Sequence, residues 1–193
     1  MSVPAGKGKC IIVSAPSGAG KTTIVRHLLG RGLGLDFSIS ATSRPKREQE
    51  RDGHDYFFIT ADEFRSRIAA DAFVEWEEVY PGRFYGTLRS EIERIWQEGR
   101  HPIFDVDVVG GVRLKEIFGD SALSIFVSPP TIEALEQRLL LRGTETPETL
   151  RVRVDKAAYE LSYTVKYDHV VINDDMHLAC EEAYETVRAF LAP

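Results

Sequence analysis

The chain has 193 residues, 43% of them hydrophobic and 28% charged, with 24 Lys+Arg against 30 Asp+Glu and a formal charge of −6. That size and apolar content can bury a full core in one domain with an inserted lobe, which excludes a disordered chain, and the acidic balance argues against a nucleic-acid coat protein. No apolar stretch approaches the roughly 18 residues of a membrane span, the first residues have no signal-like apolar core, and the two cysteines, Cys10 and Cys180, make neither a disulfide framework nor a zinc site. A soluble, cytoplasmic protein is expected.

The first apolar run, Cys10-Ile11-Ile12-Val13, is short and β-branched, which suits a strand buried on both faces of a parallel sheet. A helix follows, with Ile24, Val25, Leu28 and Leu29 inward and a stop at Gly30; Gly30 to Gly34 reads as a flexible link. Residues 36–86 read as a small mixed lobe: Asp55 to Ile59 and Ala72 to Val79 are strand-like, and between them Thr60-Ala61-Asp62-Glu63 is a capping box opening a short helix. Leu88, Ile92, Ile95 and Trp96 share one face of a helix closed by Gly99. Buried-strand runs recur at Ile103 to Val108, Leu123 to Val127 and Val170 to Ile172. Residues 128–162 carry two helices, the second opened by Thr146 with Pro147 at its first position. A last helix lines up Met176, Ala179, Cys180, Ala183, Val187 and Phe190. Strand–helix alternation of this kind predicts an α/β fold, with a parallel sheet between helices and two insertions at the carboxyl ends of its strands, where ligands bind.

Ala15-Pro16-Ser17-Gly18-Ala19-Gly20-Lys21-Thr22 nearly matches the phosphate-loop pattern G-x-x-x-x-G-K-S/T, with a buried strand before it and a helix after it. Glycines let backbone N–H groups point at phosphate oxygens, and the helix N-terminus adds positive potential. Ser17, Gly18, Ala19, Gly20, Lys21, Thr22 and Thr23 are therefore the expected ATP-binding residues, with Lys21 reaching the β- and γ-phosphates and the Thr22 hydroxyl binding Mg²⁺. Ala15 replaces the first glycine, which is acceptable if its φ stays negative.

Such a loop serves many acceptors. The next motifs name one: Ser40-Ala41-Thr42-Ser43-Arg44-Pro45-Lys46-Arg47, then Glu50, Gly53 and Tyr56; Phe73-Val74-Glu75-Trp76; Phe84-Tyr85-Gly86-Thr87; Asp105-Val106-Asp107; Arg138; Arg142-Gly143-Thr144-Glu145-Thr146; and Asn173-Asp174-Asp175. In this order, over residues 9–190, the sequence resembles the guanylate kinases, of the P-loop nucleoside monophosphate kinase family. The resemblance implies a three-layer P-loop core (about 1–37, 88–128 and 163–193), a GMP-binding lobe (38–87) and a helical lid (129–162). It implies that Arg44, Arg47, Tyr56 and Tyr85 hold the GMP phosphate, as arginine forks and phenols suit phosphate oxygens. Glu75, with Ser40 and Thr87, would read guanine, whose N1–H and N2–H₂ donors complement a carboxylate. Alone, Glu75 reads as an outward strand carboxylate. Asp105 is placed by the resemblance near the GMP base and ribose, and Asp107 near the metal.

On the expected strand, Asp105 and Asp107 alternate and so point the same way; a hydrogen-bonded pair at a strand end is the plainer reading. Arg138 and Arg142, on one helix face, and Arg153 on the next helix resemble lid arginines that join Lys21 and Arg44 in catalysis; Asn173 matches a residue near the donor adenine. Between Glu75 and Tyr85 this chain is one residue longer than the common family spacing, an insertion a hairpin tip absorbs. The implied activity is Mg²⁺-dependent transfer of the γ-phosphoryl group of ATP to GMP, giving ADP and GDP in purine nucleotide metabolism, with small-molecule partners, no nucleic acid or membrane, and the oligomeric state left open. A catalytically lost, peptide-binding relative and a kinase of different acceptor choice are the alternatives; the intact loop opposes the first, and Glu75 with Ser40 and Thr87 the second.

Overall fold

A computed structural model describes residues 8–141 and 146–192. The chain enters through β1 (Cys10–Ser14), turns into α1 (Lys21–Leu29), and returns as the short strand β2 (Leu35–Phe37). Next come β3 (Ala41–Thr42), β4 (Phe57–Phe58), α2 (Ala61–Ala69), and the hairpin β5 (Phe73–Tyr80) and β6 (Arg83–Leu88). The core resumes with α3 (Arg89–Gln97), β7 (His101–Asp105), α4 (Val108–Phe118) and β8 (Ala122–Ser128). Then α5 (Ile132–Leu141) and α6 (Pro147–Leu161) precede β9 (His169–Ile172) and α7 (Met176–Leu191).

The central sheet has the order β2-β7-β1-β8-β9, and all four pairings are parallel. Alternation along β1 explains the layers. Ile11 and Val13 point to one face, where Ile24 and Leu28 of α1 and Ala183 and Val187 of α7 meet them. Cys10 and Ile12 point to the other, onto Ile92 of α3 and Leu114 and Phe118 of α4. All five β1 residues are buried, as the uninterrupted apolar run predicts, and each such Ile or Leu contributes roughly 1.5–3 kcal/mol on burial. The α/β layered fold expected from the sequence is therefore the one found.

A second sheet, ordered β4-β3-β6-β5, stands on its own small core. Phe64 of α2 stacks on Phe73 with centroids 4.3 Å apart and on Phe84 at 5.2 Å, so one fully buried ring fastens helix to sheet. Thr60 caps α2 by accepting from Glu63 N at 3.1 Å, but the Glu63 carboxylate turns to Arg67, so only half of the expected box forms. The β5–β6 hairpin turns at Pro81–Gly82, and its pairing shifts register between Phe73 and Glu75 and again between Glu78 and Tyr80, with Glu77 opposite Tyr85.

Some expectations need correction. The strand expected over Ile103 to Val108 ends at Asp105, and Val108 already starts α4. Asp107 is therefore no strand residue alternating with Asp105: it is the N-cap of α4, its Oδ1 accepting from Val109 N at 2.9 Å and Gly110 N at 2.8 Å. The helix α4 escaped the pattern because Gly110 and Gly111 lower its propensity. Gly111 is there for space: a Cβ would lie 2.3 Å from the Tyr167 hydroxyl and 2.5 Å from Ser14 Oγ. The Gly30–Gly34 link forms as expected, passing through Gly32 and Gly34 at φ 70° and 68°, and leads into an edge strand, β2, that three residues were too few to announce. Of the strand expected over Asp55 to Ile59, only Phe57–Phe58 forms.

Candidate active site

The phosphate loop runs from the end of β1 into α1. Gly18 and Gly20 have φ of 97° and 101°, conformations that side chains disfavour, whereas Ala15 is absent from the positive-φ residues, which meets the condition its substitution for glycine required. Gly20 also lacks room, since a Cβ would lie 2.3 Å from Asn173 Nδ2. That amide donates to Ala19 O at 2.7 Å, and Asn173 is 1% exposed, so it braces the loop from behind. The first turn of α1 has no side-chain cap and no acidic residue, which leaves its positive end to an anion. Lys21 Nζ donates to Val106 O at 3.0 Å and pairs with Asp105. Arg153 on α6 donates to Ser17 Oγ at 2.6 Å, and Arg138 on α5 donates to Asn173 O at 2.8 Å. Two of the three expected lid arginines thus lie against the loop or its brace; Arg142 lies outside the described residues.

The second half of the site is built on the small sheet. Arg44 forms a two-pronged pair with Glu50, at 2.7 and 2.5 Å, and Glu50 also accepts from Arg47 N at 2.8 Å. The pairing raises the pKa of Arg44 and holds the Glu50 carboxyl down at about 2. The Arg44 guanidinium lies 5.1 Å from the Tyr56 ring centroid, and Tyr56 meets Tyr85 edge-on at 6.1 Å. These four expected phosphate-holding residues therefore include a tight cluster of Arg44, Tyr56 and Tyr85, with Arg47 anchored to it through Glu50. Glu75 is 9% exposed and accepts from Thr87 Oγ1 at 2.7 Å. Burial pushes its carboxyl up to about 7, against the pull of the Thr87 hydrogen bond.

A cleft of about 930 Å³ joins the halves. Ser17, Gly18, Gly20, Lys21, Thr22 and Thr23 line one part of it, Ser40, Arg47, Glu50 and Tyr56 another, and Asp105 and Asp107 lie along it as well. Arg44, Glu75, Tyr85 and Thr87 are not part of this lining; Glu75 lines a separate cavity of about 530 Å³ with Trp76, Glu77 and Arg113. Asp105, at the end of β7, pairs with Lys21 in the lining of this cleft. A family model described as guanylate kinase matches residues 7–191. The chain belongs to the guanylate kinase family. It is 52% identical to a guanylate kinase of Bacteroides fragilis over 96% of this chain and 91% of that protein. Against a guanylate kinase of Porphyromonas gingivalis the identity is 50%, over 95% and 98%. Among solved structures, the guanylate kinase from Anaplasma phagocytophilum superposes with a TM-score of 0.77 at 28% identity, covering 96% of this chain and 87% of that one.

Within this family member, two further residues contribute to the site. Glu50, in sequence only a motif position, is the anion that organises Arg44 and the Arg47 backbone. Glu160, near the end of α6 and outside every sequence motif, lines the cleft and is 6% exposed. Its signal was available: it stands seven residues after Arg153, so both lie on one helix face. Thr22 and Asp107 are the candidates for a metal. Among the described residues no three His, Cys, Asp or Glu side chains gather as a metal cage. That donor set, one hydroxyl and one carboxylate beside a phosphate loop, fits a hard cation carried in by a triphosphate with most of its water. Among the described residues no helix is long and apolar enough to cross a membrane.

Proposed function

We propose that the chain transfers the γ-phosphoryl group of ATP to GMP, yielding ADP and GDP. The observation that carries this reading is the continuous cleft from the phosphate loop to Arg47 and Tyr56, with one anion-binding region at each end. In this reading Ser17 to Thr23 cradle the donor phosphates, and Lys21 exchanges Asp105 and Val106 O for phosphate oxygens. Arg44, Arg47, Tyr56 and Tyr85 hold the acceptor phosphate. An oxygen of that phosphate attacks the γ-phosphorus in line; the new O–P bond forms as the bond to the β-phosphate oxygen breaks, and ADP leaves with that electron pair. The attacking oxygen is already an anion, so no general base is needed, and positioning with charge neutralisation does the work. Arg138, Arg142 and Arg153 supply positive charge from α5, α6 and their connection, and Asn173 supports the donor loop. Mg²⁺, held by Thr22 and Asp107, would supply further neutralisation of the donor phosphates.

In this reading guanine selection falls to Glu75, whose carboxylate accepts from Thr87, with Ser40 and Asp105 of the cleft lining as its partners in holding the nucleoside. A carboxylate pairs with the N1–H and N2–H₂ edge of guanine; adenine, with an acceptor at N1, would leave it buried and unpaired, a mismatch worth up to roughly 10⁴ in discrimination. Closure of the small sheet and of α5–α6 over the cleft would exclude water from the γ-phosphate. Substrates of this kind support a cytoplasmic place in purine nucleotide metabolism. A coupled ADP-release assay with GMP, AMP, UMP and CMP tests the reading: GMP alone should sustain fast turnover, and equal rates with AMP would overturn it.

A further inference from the structure

Glu160 is a buried carboxylate that the proposed reaction leaves without a task. It lies in the last turn of α6, 6% exposed, and lines the same cleft as Lys21, Thr22 and Asp107. Its ion-pair partner is Lys156, one turn earlier, reaching Oε1 at 3.5 Å, long for a charge-assisted contact and with the lysine side chain 55% exposed. Burial and the negative charge of Asp107 oppose its ionisation, while Lys156 and Lys21 favour it, and the balance raises its pKa. Two acidic side chains on different elements, Asp107 capping α4 and Glu160 ending α6, thus face a cleft read as holding a polyanion. Asp105, the neighbouring acid, is already matched by Lys21. Carboxylates so placed repel each other and the triphosphate unless a cation lies between them.

The helix geometry agrees. Arg153 and Glu160 are two turns apart, about 10.5 Å along the axis, on one face of α6. Arg153 meets Ser17 of the phosphate loop. The same face therefore presents a cation to the loop and an anion to the region of Thr22 and Asp107. No three acidic, His or Cys side chains form a direct cage among the described residues, and Mg²⁺ keeps several of its waters beside substrate phosphates. We propose that Glu160 is a positioning residue for the divalent cation of the donor triphosphate, accepting hydrogen bonds from the cation's water ligands on the α6 side while Asp107 serves the α4 side. This rests on reading the chain as an ATP-dependent kinase.

The test uses Mn²⁺ as a spin probe, titrated against the full-length protein with ATP and no acceptor, so GMP chemistry does not enter. Glu160→Gln should weaken Mn²⁺ binding to the protein–ATP complex by about tenfold, the range usual for removing a group that orients a metal's ligands. Glu160→Asp should fall between it and the parent. ATP affinity without metal should not fall in Glu160→Gln, since a repelling charge is removed, and Lys156→Ala should leave Mn²⁺ affinity at the parent value, which a merely structural Lys156–Glu160 pair would not. In turnover with GMP, Glu160→Gln should raise the half-saturating Mg²⁺ concentration about tenfold with a smaller loss at saturating Mg²⁺. Parent-like Mn²⁺ affinity in Glu160→Gln overturns the proposal; if that variant does not fold, parent-like affinity in Glu160→Asp does so. Glu160-dependent Mn²⁺ binding in a protein that fails to phosphorylate GMP would instead overturn the acceptor assignment and leave this proposal standing.

Discussion

The two halves of the cleft are made of different material. The donor half is backbone: a loop between a buried strand and a helix, with two glycines at positive φ and Asn173 bonded to Ala19 O behind it. It is rooted in the main core, where strand and helices share apolar side chains. The acceptor half is side chain: Arg44, Tyr56 and Tyr85 gather at a small sheet with its own phenylalanine core, and Arg44 is held by the ion pair with Glu50. Backbone amides bind any triphosphate alike, so the donor half gives affinity without much choice. Side-chain chemistry, above all one buried carboxylate, can choose between bases. Affinity and selectivity are therefore separable by mutation.

The largest expected effect breaks the donor half. Lys21→Met should lower kcat by about 10³-fold or more, because charge on the transferring group goes unmet; thermal unfolding should still show a cooperative transition, and substantial residual turnover would refute the role. Next, Glu75→Gln should lower kcat/KM for GMP by about 10²-fold, since a neutral amide mismatches one guanine donor. ATP affinity measured by calorimetry should not move. Glu50→Gln acts less directly: it releases Arg44 and the Arg47 backbone, and should raise KM for GMP about tenfold while the donor constants stay in place.

The smallest effect is a pH dependence confined to the acceptor half. The Glu75 carboxyl is raised from 4.5 to about 7 by burial. Folding thus favours its protonated form, so its contribution to the stability of the ligand-free protein is present below 4.5 and lost as pH rises towards 7. Guanine needs the ionised form. GMP affinity should therefore fall several-fold between pH 8 and 6.5, more than the titration of the phosphate near about 6 accounts for, and only that phosphate share should remain in Glu75→Gln. ATP affinity over the same range should lack this component.

The donor half was legible in the sequence because its parts are local: an apolar strand, a glycine-spaced loop and a helix are contiguous, and so is their chemistry. Parallel core strands announced themselves as apolar runs at Leu123 and Val170. What the sequence hid was long-range. Asp107 looked like a strand residue because Val106, Val108 and Val109 continue the apolar run; that it caps a helix depends on Gly111 yielding space to Tyr167 and Ser14, residues distant in the chain. Glu160 resembled any charge on an amphipathic helix until α6 was laid across the cleft. Resemblance to a family carried Glu75 where its local pattern, alternating on a strand, pointed outward.

The most direct test of the account is the fate of the γ-phosphorus. ATP labelled at that position should, with GMP and Mg²⁺, pass its label to GDP, and with AMP should pass almost none. Label released as inorganic phosphate, or delivered equally to AMP, would contradict the assignment of the acceptor half.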